Sequence, residues 1–190
     1  MRTQDHLLLG NTIADMHGTL SASHRKALVI GCVEPDYNIL TYMRGSIKFK
    51  NFYGHNTENL KAHITACMSK LKKFETMSLY ECFRLGTLLH YVSDSFTYPH
   101  TPQFSGSMSE HIAYENIFHD FFVQKLEGIR NKFSSSASFD SWDESQKSYI
   151  DLPPSMEKDS LYIIDTCVGI AKQFIPYFRS SKKLTVAESM

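Results

Sequence analysis

The residues with most chemistry to offer lie close together in His90-Tyr91-Val92-Ser93-Asp94-Ser95-Phe96-Thr97-Tyr98-Pro99-His100. His90 and Asp94 stand four apart, so on a helix they project from one face and can share a metal ion. His100 follows Pro99, where a proline turn can swing its ring back toward the same cleft. Eleven positions further on, His111-Ile112-Ala113-Tyr114-Glu115 repeats the pairing of histidine and carboxylate at i and i+4. Together these supply five nitrogen and oxygen donors of the kind zinc favours. A single histidine is more often a surface or satisfied core imidazole, but five donors at these spacings point to a metal centre. Divalent ions held in this way lower the pKa of bound water to roughly 7, polarise phosphoryl oxygens and steady a leaving alkoxide.

Composition narrows the setting. The chain has 190 residues, 42% of them hydrophobic and 21% charged, which suits one soluble domain. Twenty Lys and Arg balance twenty Asp and Glu, giving a net charge of zero. No bulk electrostatic hold on a polyanion follows, so stable nucleic-acid binding is not expected and any phosphate affinity must be local. Cys32, Cys67, Cys82 and Cys167 form no Cys-x-x-Cys pair, which excludes a zinc ribbon and a thioredoxin-type site and favours buried free thiols. The longest apolar run, Ala27 to Val33, is too short to span a membrane. Residues Met1 to His6 carry no apolar leader, so a cytoplasmic location is expected, or secretion if a leader has been trimmed away.

The spacing of these donors is similar to that of the bacterial zinc-dependent phospholipase C family, whose signature is His-Tyr-x-x-Asp, a His six positions on, then His-x-x-x-Glu. Each position is met by His90, Tyr91, Asp94, His100, His111 and Glu115. Upstream, Gly31-Cys32-Val33-Glu34-Pro35-Asp36-Tyr37 is similar to the family's Gly…Pro-Asp segment; His55 follows at a loop's distance and His6 falls where the family places its first histidine. The likeness runs from Thr3 to about Glu127, with Pro99 directly before His100 rather than one position earlier.

This resemblance implies an all-α, multi-helix single domain with a metal cluster between helices. It implies one zinc held by Asp36, His55, His90 and Asp94, and a second by His100, His111 and Glu115. A third would share Asp94 and take His6; in secreted members the amino-terminal residue, a tryptophan, completes it, whereas this sequence starts at Met1. Two to three zinc ions are therefore expected. Asp36 is the candidate general base, with Glu34 a poorer one. Tyr37 and Phe52 match headgroup-pocket positions, where ring faces can hold a choline ammonium. The implied reaction is hydrolysis of a phospholipid or related small phosphodiester.

Two rivals stand beside it. Single-strand nucleases share the implied fold but have His-Phe in place of His90-Tyr91 and Asp in place of Glu115. A non-catalytic protein could use zinc only to tie helices together, but closed four-coordinate sites would then be expected, whereas the second ion has three ligands and room for water. His17, His24, His63 and His119 stay outside the ligand set, although His24 could compete with His6, His63 reads as exposed, and His119-Asp120 resembles the dipeptide of helical phosphohydrolases.

Helices must position these residues, because strand alternation and hairpin dipeptides are scarce. The pattern predicts helices over Thr3 to Leu20, Ala27 to Cys32 with a stop at Glu34-Pro35, and from Thr57 through Leu71. It predicts another opened by the capping box Ser78-Leu79-Tyr80-Glu81 and ending before Pro99, one capped by Ser109 and running to Arg130, and a last from Ser155 to Phe178. Leu79, Ile112, Ile117 and Leu161 are read as inward-facing. Asp36 to Asn56 reads as a long functional loop, and Ser134 to Ser138 as a connector. The domain is expected over 1–179, with a flexible tail over 180–190.

Overall fold

A computed structural model describes residues 1–18, 20–38, 57–71, 77–130 and 141–175, and these are all-helical, without strands. The helices are α1 (Thr3–Met16), α2 (Ala22–Tyr37), α3 (Thr57–Leu71), α4 (Leu79–Ser95), α5 (Met108–Arg130), α6 (Trp142–Asp151) and α7 (Met156–Phe174), with a 3-10 turn at Tyr98–His100. None is long and apolar enough to cross a membrane. Phe52, His55, the Ser134 to Ser138 connector and the tail beyond Ser180 lie outside the described residues.

Helix α4 is the axis of the bundle. Its start is the expected capping box: the Ser78 hydroxyl accepts the Glu81 N–H at 3.3 Å while the Glu81 carboxylate accepts the N–H of Ser78. Leu85, Leu88, Leu89, Tyr91 and Val92 are all buried, so beyond its exposed first turn the helix is covered by α1, α2, α3 and α7. A helix in that position carries His90 and Asp94 into the interior.

Its closest partner is α2. The two backbones cross at Gly31 and Gly86, where a Cβ on Gly31 would stand 2.0 Å from the Phe83 carbonyl oxygen and one on Gly86 2.0 Å from that of Leu28. Only hydrogen at both positions permits this approach. The contact also explains a departure from the sequence reading. Helix α2 begins at Ala22, with the Ser21 hydroxyl accepting the His24 N–H, and continues through Pro35 to Tyr37. Proline removes one helical hydrogen bond at a cost of about 3 kcal/mol, and the long packed face against α4 outweighs it. Asp36 and Tyr37 therefore sit on the last turn of a helix rather than at the start of a loop.

Other boundaries shift less. Helix α1 stops at Met16, short of the expected Leu20. Helix α5 is capped by Ser107, whose hydroxyl accepts the Glu110 N–H at 3.3 Å and whose own N–H goes to the Glu110 carboxylate at 2.6 Å, not by Ser109. Helix α6 was not expected at all. Its inward face is Trp142, Gln146 and Tyr149 at helical spacing, but a glutamine in the middle conceals the period. Leu79, Ile112, Ile117 and Leu161 are exposed; on α5 and α7, Phe118 and Ile163 occupy the core instead.

Candidate metal centre

Three helices and the amino-terminal residue converge on Asp94. From α4, His90 directs Nε2 to 3.3 Å from Asp94 Oδ2; from α1, His6 places Nε2 3.2 Å from Asp94 Oδ1. From the end of α2, Asp36 Oδ1 lies 3.7 Å from His90 Nε2. The two imidazole rings stack with centroids 3.8 Å apart. Donor atoms of His6, Asp36 and His90 all fall within 4.8 Å of one another, close enough to hold one ion.

The hydrogen bonds behind these rings fix which nitrogen faces the cluster. His90 Nδ1 lies 2.9 Å from the Cys32 carbonyl oxygen, which can only accept, so Nδ1 carries the proton. The Ser93 hydroxyl donates to the His90 carbonyl at 2.8 Å and so accepts from His6 Nδ1 at 3.1 Å. In their neutral forms both rings therefore turn a lone pair on Nε2 toward carboxylate oxygens. Facing carboxylate oxygens at such distances, each Nε2 must either carry a proton or share a cation with them, and histidine rings backed by a carbonyl or hydroxyl are the arrangement zinc sites use. The donor set thus fits the metal.

A second group lies alongside. Glu115 Oε1 is 2.9 Å from His111 Nε2 and 3.3 Å from His100 Nε2, and these three residues likewise offer donors within 4.8 Å of one another. His111 and Glu115 come from one face of α5 at i and i+4, while the 3-10 turn after α4 returns the His100 ring to them.

The Met1 α-amino group joins the two groups. It lies 2.9 Å from Asp94 Oδ1, 2.8 Å from Glu115 Oε1 and 3.2 Å from His100 Nε2. Burial disfavours its charge, yet Asp94 and Glu115 outweigh this and raise its pKa to about 11. Burial would also raise Asp94, but the ammonium, His100, His6 and His90 together hold it well below the usual carboxylate range. Glu115 is lowered too, burial being outweighed by hydrogen bonds from His100 and His111 and by the ammonium. Burial and the neighbouring His90 push the His6 pKa down, which keeps it neutral as a ligand must be. For His90, burial is overcome by Asp94 and Asp36, which raise it.

Of the residues singled out in the sequence, His6, Asp36, His90, Asp94, His100, His111 and Glu115 come together. Asp36 is the outer member of the group it forms with His6 and His90, its side chain 21% exposed. Tyr37 beside it is 77% exposed. Glu34 accepts a hydrogen bond from Asn38 Nδ2 at 2.6 Å. His24 pairs with Ser21 at 2.6 Å at the opposite end of α2 and does not compete with His6. His63 is half-buried, with its ring edge-on to Tyr91 at 4.7 Å, rather than exposed.

Two contributions were not visible in the sequence. Ser93 orients His6 across 87 residues. His119 Nδ1 contacts buried Asp5 at 2.5 Å, clasping the start of α1 to α5 one turn beyond Glu115. The only available signal was the ladder His111, Glu115, His119 along one helix face.

Compared with known proteins, residues 4–173 match the family model described as zinc dependent phospholipase C. The match extends beyond Glu127, where the likeness read from the sequence ended, and takes in α6 and most of α7. No curated protein and no solved structure matches the chain.

Proposed function

Since the chain belongs to the zinc-dependent phospholipase C family, we propose that it hydrolyses a phospholipid or a related small phosphodiester at a cluster of two to three zinc ions. The observation that carries this reading is the pair of adjoining donor groups, His6, Asp36 and His90 with Asp94, and His100, His111 and Glu115. His55, which lies outside the described residues, is proposed as a further ligand beside Asp36 and His90. Asp94 and His6 are proposed to serve the third ion.

Zinc bound in these groups supplies Lewis acidity toward both water and the phosphoryl oxygens. The protein's own groups do the rest. Asp36, partly exposed at the rim, accepts the proton of the attacking water as its oxygen bonds to phosphorus. The bond from phosphorus to the glyceryl oxygen then breaks, the alkoxide takes a proton from a solvent water to leave as the alcohol, and Asp36 gives its proton back to solvent. Buried Asp94 and His90 hold the cluster rigid, and Glu115, with 16% of its side chain exposed, leaves solvent access beside the second group. That access favours a hydrolytic site over a closed structural one. The exposed Tyr37, with Phe52, is proposed to meet the headgroup through its ring face.

Zinc analysis coupled to hydrolysis of a chromogenic phosphorylcholine diester and of single-stranded DNA tests the reading. Two or more zinc per chain, with diester turnover falling by about 100-fold or more in Asp36→Asn, is the expected result. Bound zinc with neither activity would leave a structural role, and cleavage of DNA alone would make the protein a nuclease.

A further inference from the structure

Asp159 is a fully buried carboxylate near the start of α7 and belongs to neither donor group. Its Oδ2 accepts the Tyr98 backbone N–H at 2.7 Å and the Tyr114 hydroxyl at 2.7 Å, and its Oδ1 accepts the Tyr149 hydroxyl at 2.7 Å. The adjacent Lys158 acts on it only through charge, without a hydrogen bond. That ammonium donates to the Tyr149 and Leu152 carbonyls at 3.3 and 3.0 Å. Asp159 is thus held by an amide and two phenols, an arrangement with directional bonds at both oxygens.

Two of the three donors stand on the segments that supply the second donor group. Tyr98 opens the 3-10 turn that ends at His100, and Tyr114 immediately precedes Glu115 on α5. The turn closes on itself through His100 N–H to Thr97 O at 2.8 Å and Thr101 N–H to Tyr98 O at 3.0 Å. Those bonds shape the turn but do not place it relative to α5. One carboxylate accepts from Tyr98 and Tyr114 on the same oxygen and so ties the turn to α5, beside the ring contact of Tyr98 with Tyr114 at 5.8 Å and next to the 3.3 Å between His100 Nε2 and Glu115 Oε1. A buried carboxylate is costly to keep where packing alone would serve, and this one touches the two elements whose spacing the site depends on.

We infer that Asp159 is a positioning residue for the metal site formed by His100, His111 and Glu115, acting through Tyr98 and Tyr114. The inference rests on the zinc centre proposed above. Outer hydrogen-bond partners of this kind shift metal affinity by about 10- to 100-fold when removed.

Zinc competition titrations against a chelating indicator test it in the full chain, with the wild type, Asp159→Asn and Tyr114→Phe, each also combined with His111→Ala. Asp159→Asn is expected to weaken the site that His111→Ala abolishes by about 10- to 100-fold and to leave the remaining site unchanged. Tyr114→Phe should weaken the same site by less. Equal weakening of both sites, or of neither, would overturn the inference. If Asp159→Asn does not fold, Tyr114→Phe decides, since an unchanged second site in that variant overturns it equally. A wild type whose zinc content is insensitive to His111→Ala would overturn the proposed centre and this inference together, whereas a two-zinc wild type with unaltered variants would sink this inference alone.

Discussion

Asp94 shows at the scale of one residue how the site is built. Its two oxygens face His90 at 3.3 Å and His6 at 3.2 Å, while the Met1 ammonium lies 2.9 Å away. His90 and Asp94 were legible in the sequence because a spacing of four on one helix is a local, geometric statement. His111 and Glu115 were legible for the same reason. The contact of Met1 with Asp94 was not, since 93 residues separate them and only the folded bundle brings them together. Both acidic groups titrate below their ordinary range in the fold. Their pairing therefore stabilises the metal-free protein fully above the unfolded-chain carboxylate value of about 4 and is lost as pH falls through the lowered folded value. In chelator, Glu115→Gln should lower the urea midpoint relative to wild type at pH 7, and the gap should narrow as pH falls below about 4. A gap that widened on acidification would contradict the assignment.

Between elements, the crossing of α2 and α4 decides whether Asp36 reaches the cluster. Gly31 and Gly86 face each other's helix backbones, with no room for a methyl group on either. Gly31→Ala should therefore destabilise by about 4 kcal/mol or more, in the range reserved for severe backbone displacement. It should also lower zinc uptake, because moving α2 withdraws both the Asp36 carboxylate and the Cys32 carbonyl that orients His90. Chemical unfolding with zinc analysis on the soluble fraction checks both effects; a loss under about 1 kcal/mol would mean that the crossing is slack. The sequence located Gly31 and Asp36 but read Pro35 as a stop, because proline's local cost is visible there and the tertiary face that offsets it is not. Likewise α6 escaped notice since Gln146 breaks an apolar period that only burial against Ser95 explains, the Gln146 amide donating to the Ser95 carbonyl at 3.1 Å.

Taken as one body, the described residues are a helical frame in which α1, α2, α4, the 3-10 turn and α5 deliver donors to two adjoining groups. The helical class and four of the donors follow from local periodicity and His100 from a proline turn, whereas the role inferred for α7 depends on Asp159 contacts spanning 61 and 45 residues. Zinc bound at the proposed centre would link α1, α2, α4 and α5 and stabilise only the folded chain, so chelation should lower the thermal midpoint and zinc in excess should restore it, by several degrees for each 1 to 2 kcal/mol of binding linkage, about 2 to 8 °C. An unchanged midpoint would place the ions away from the frame.

Diffraction at the zinc edge from crystals grown with zinc tests the central claim most directly. The account predicts anomalous peaks at bonding distance from His90 and Asp94 and, separately, from His100, His111 and Glu115. Peaks elsewhere, with Asp94 touching no ion and Glu115 turned away from His100, would contradict it.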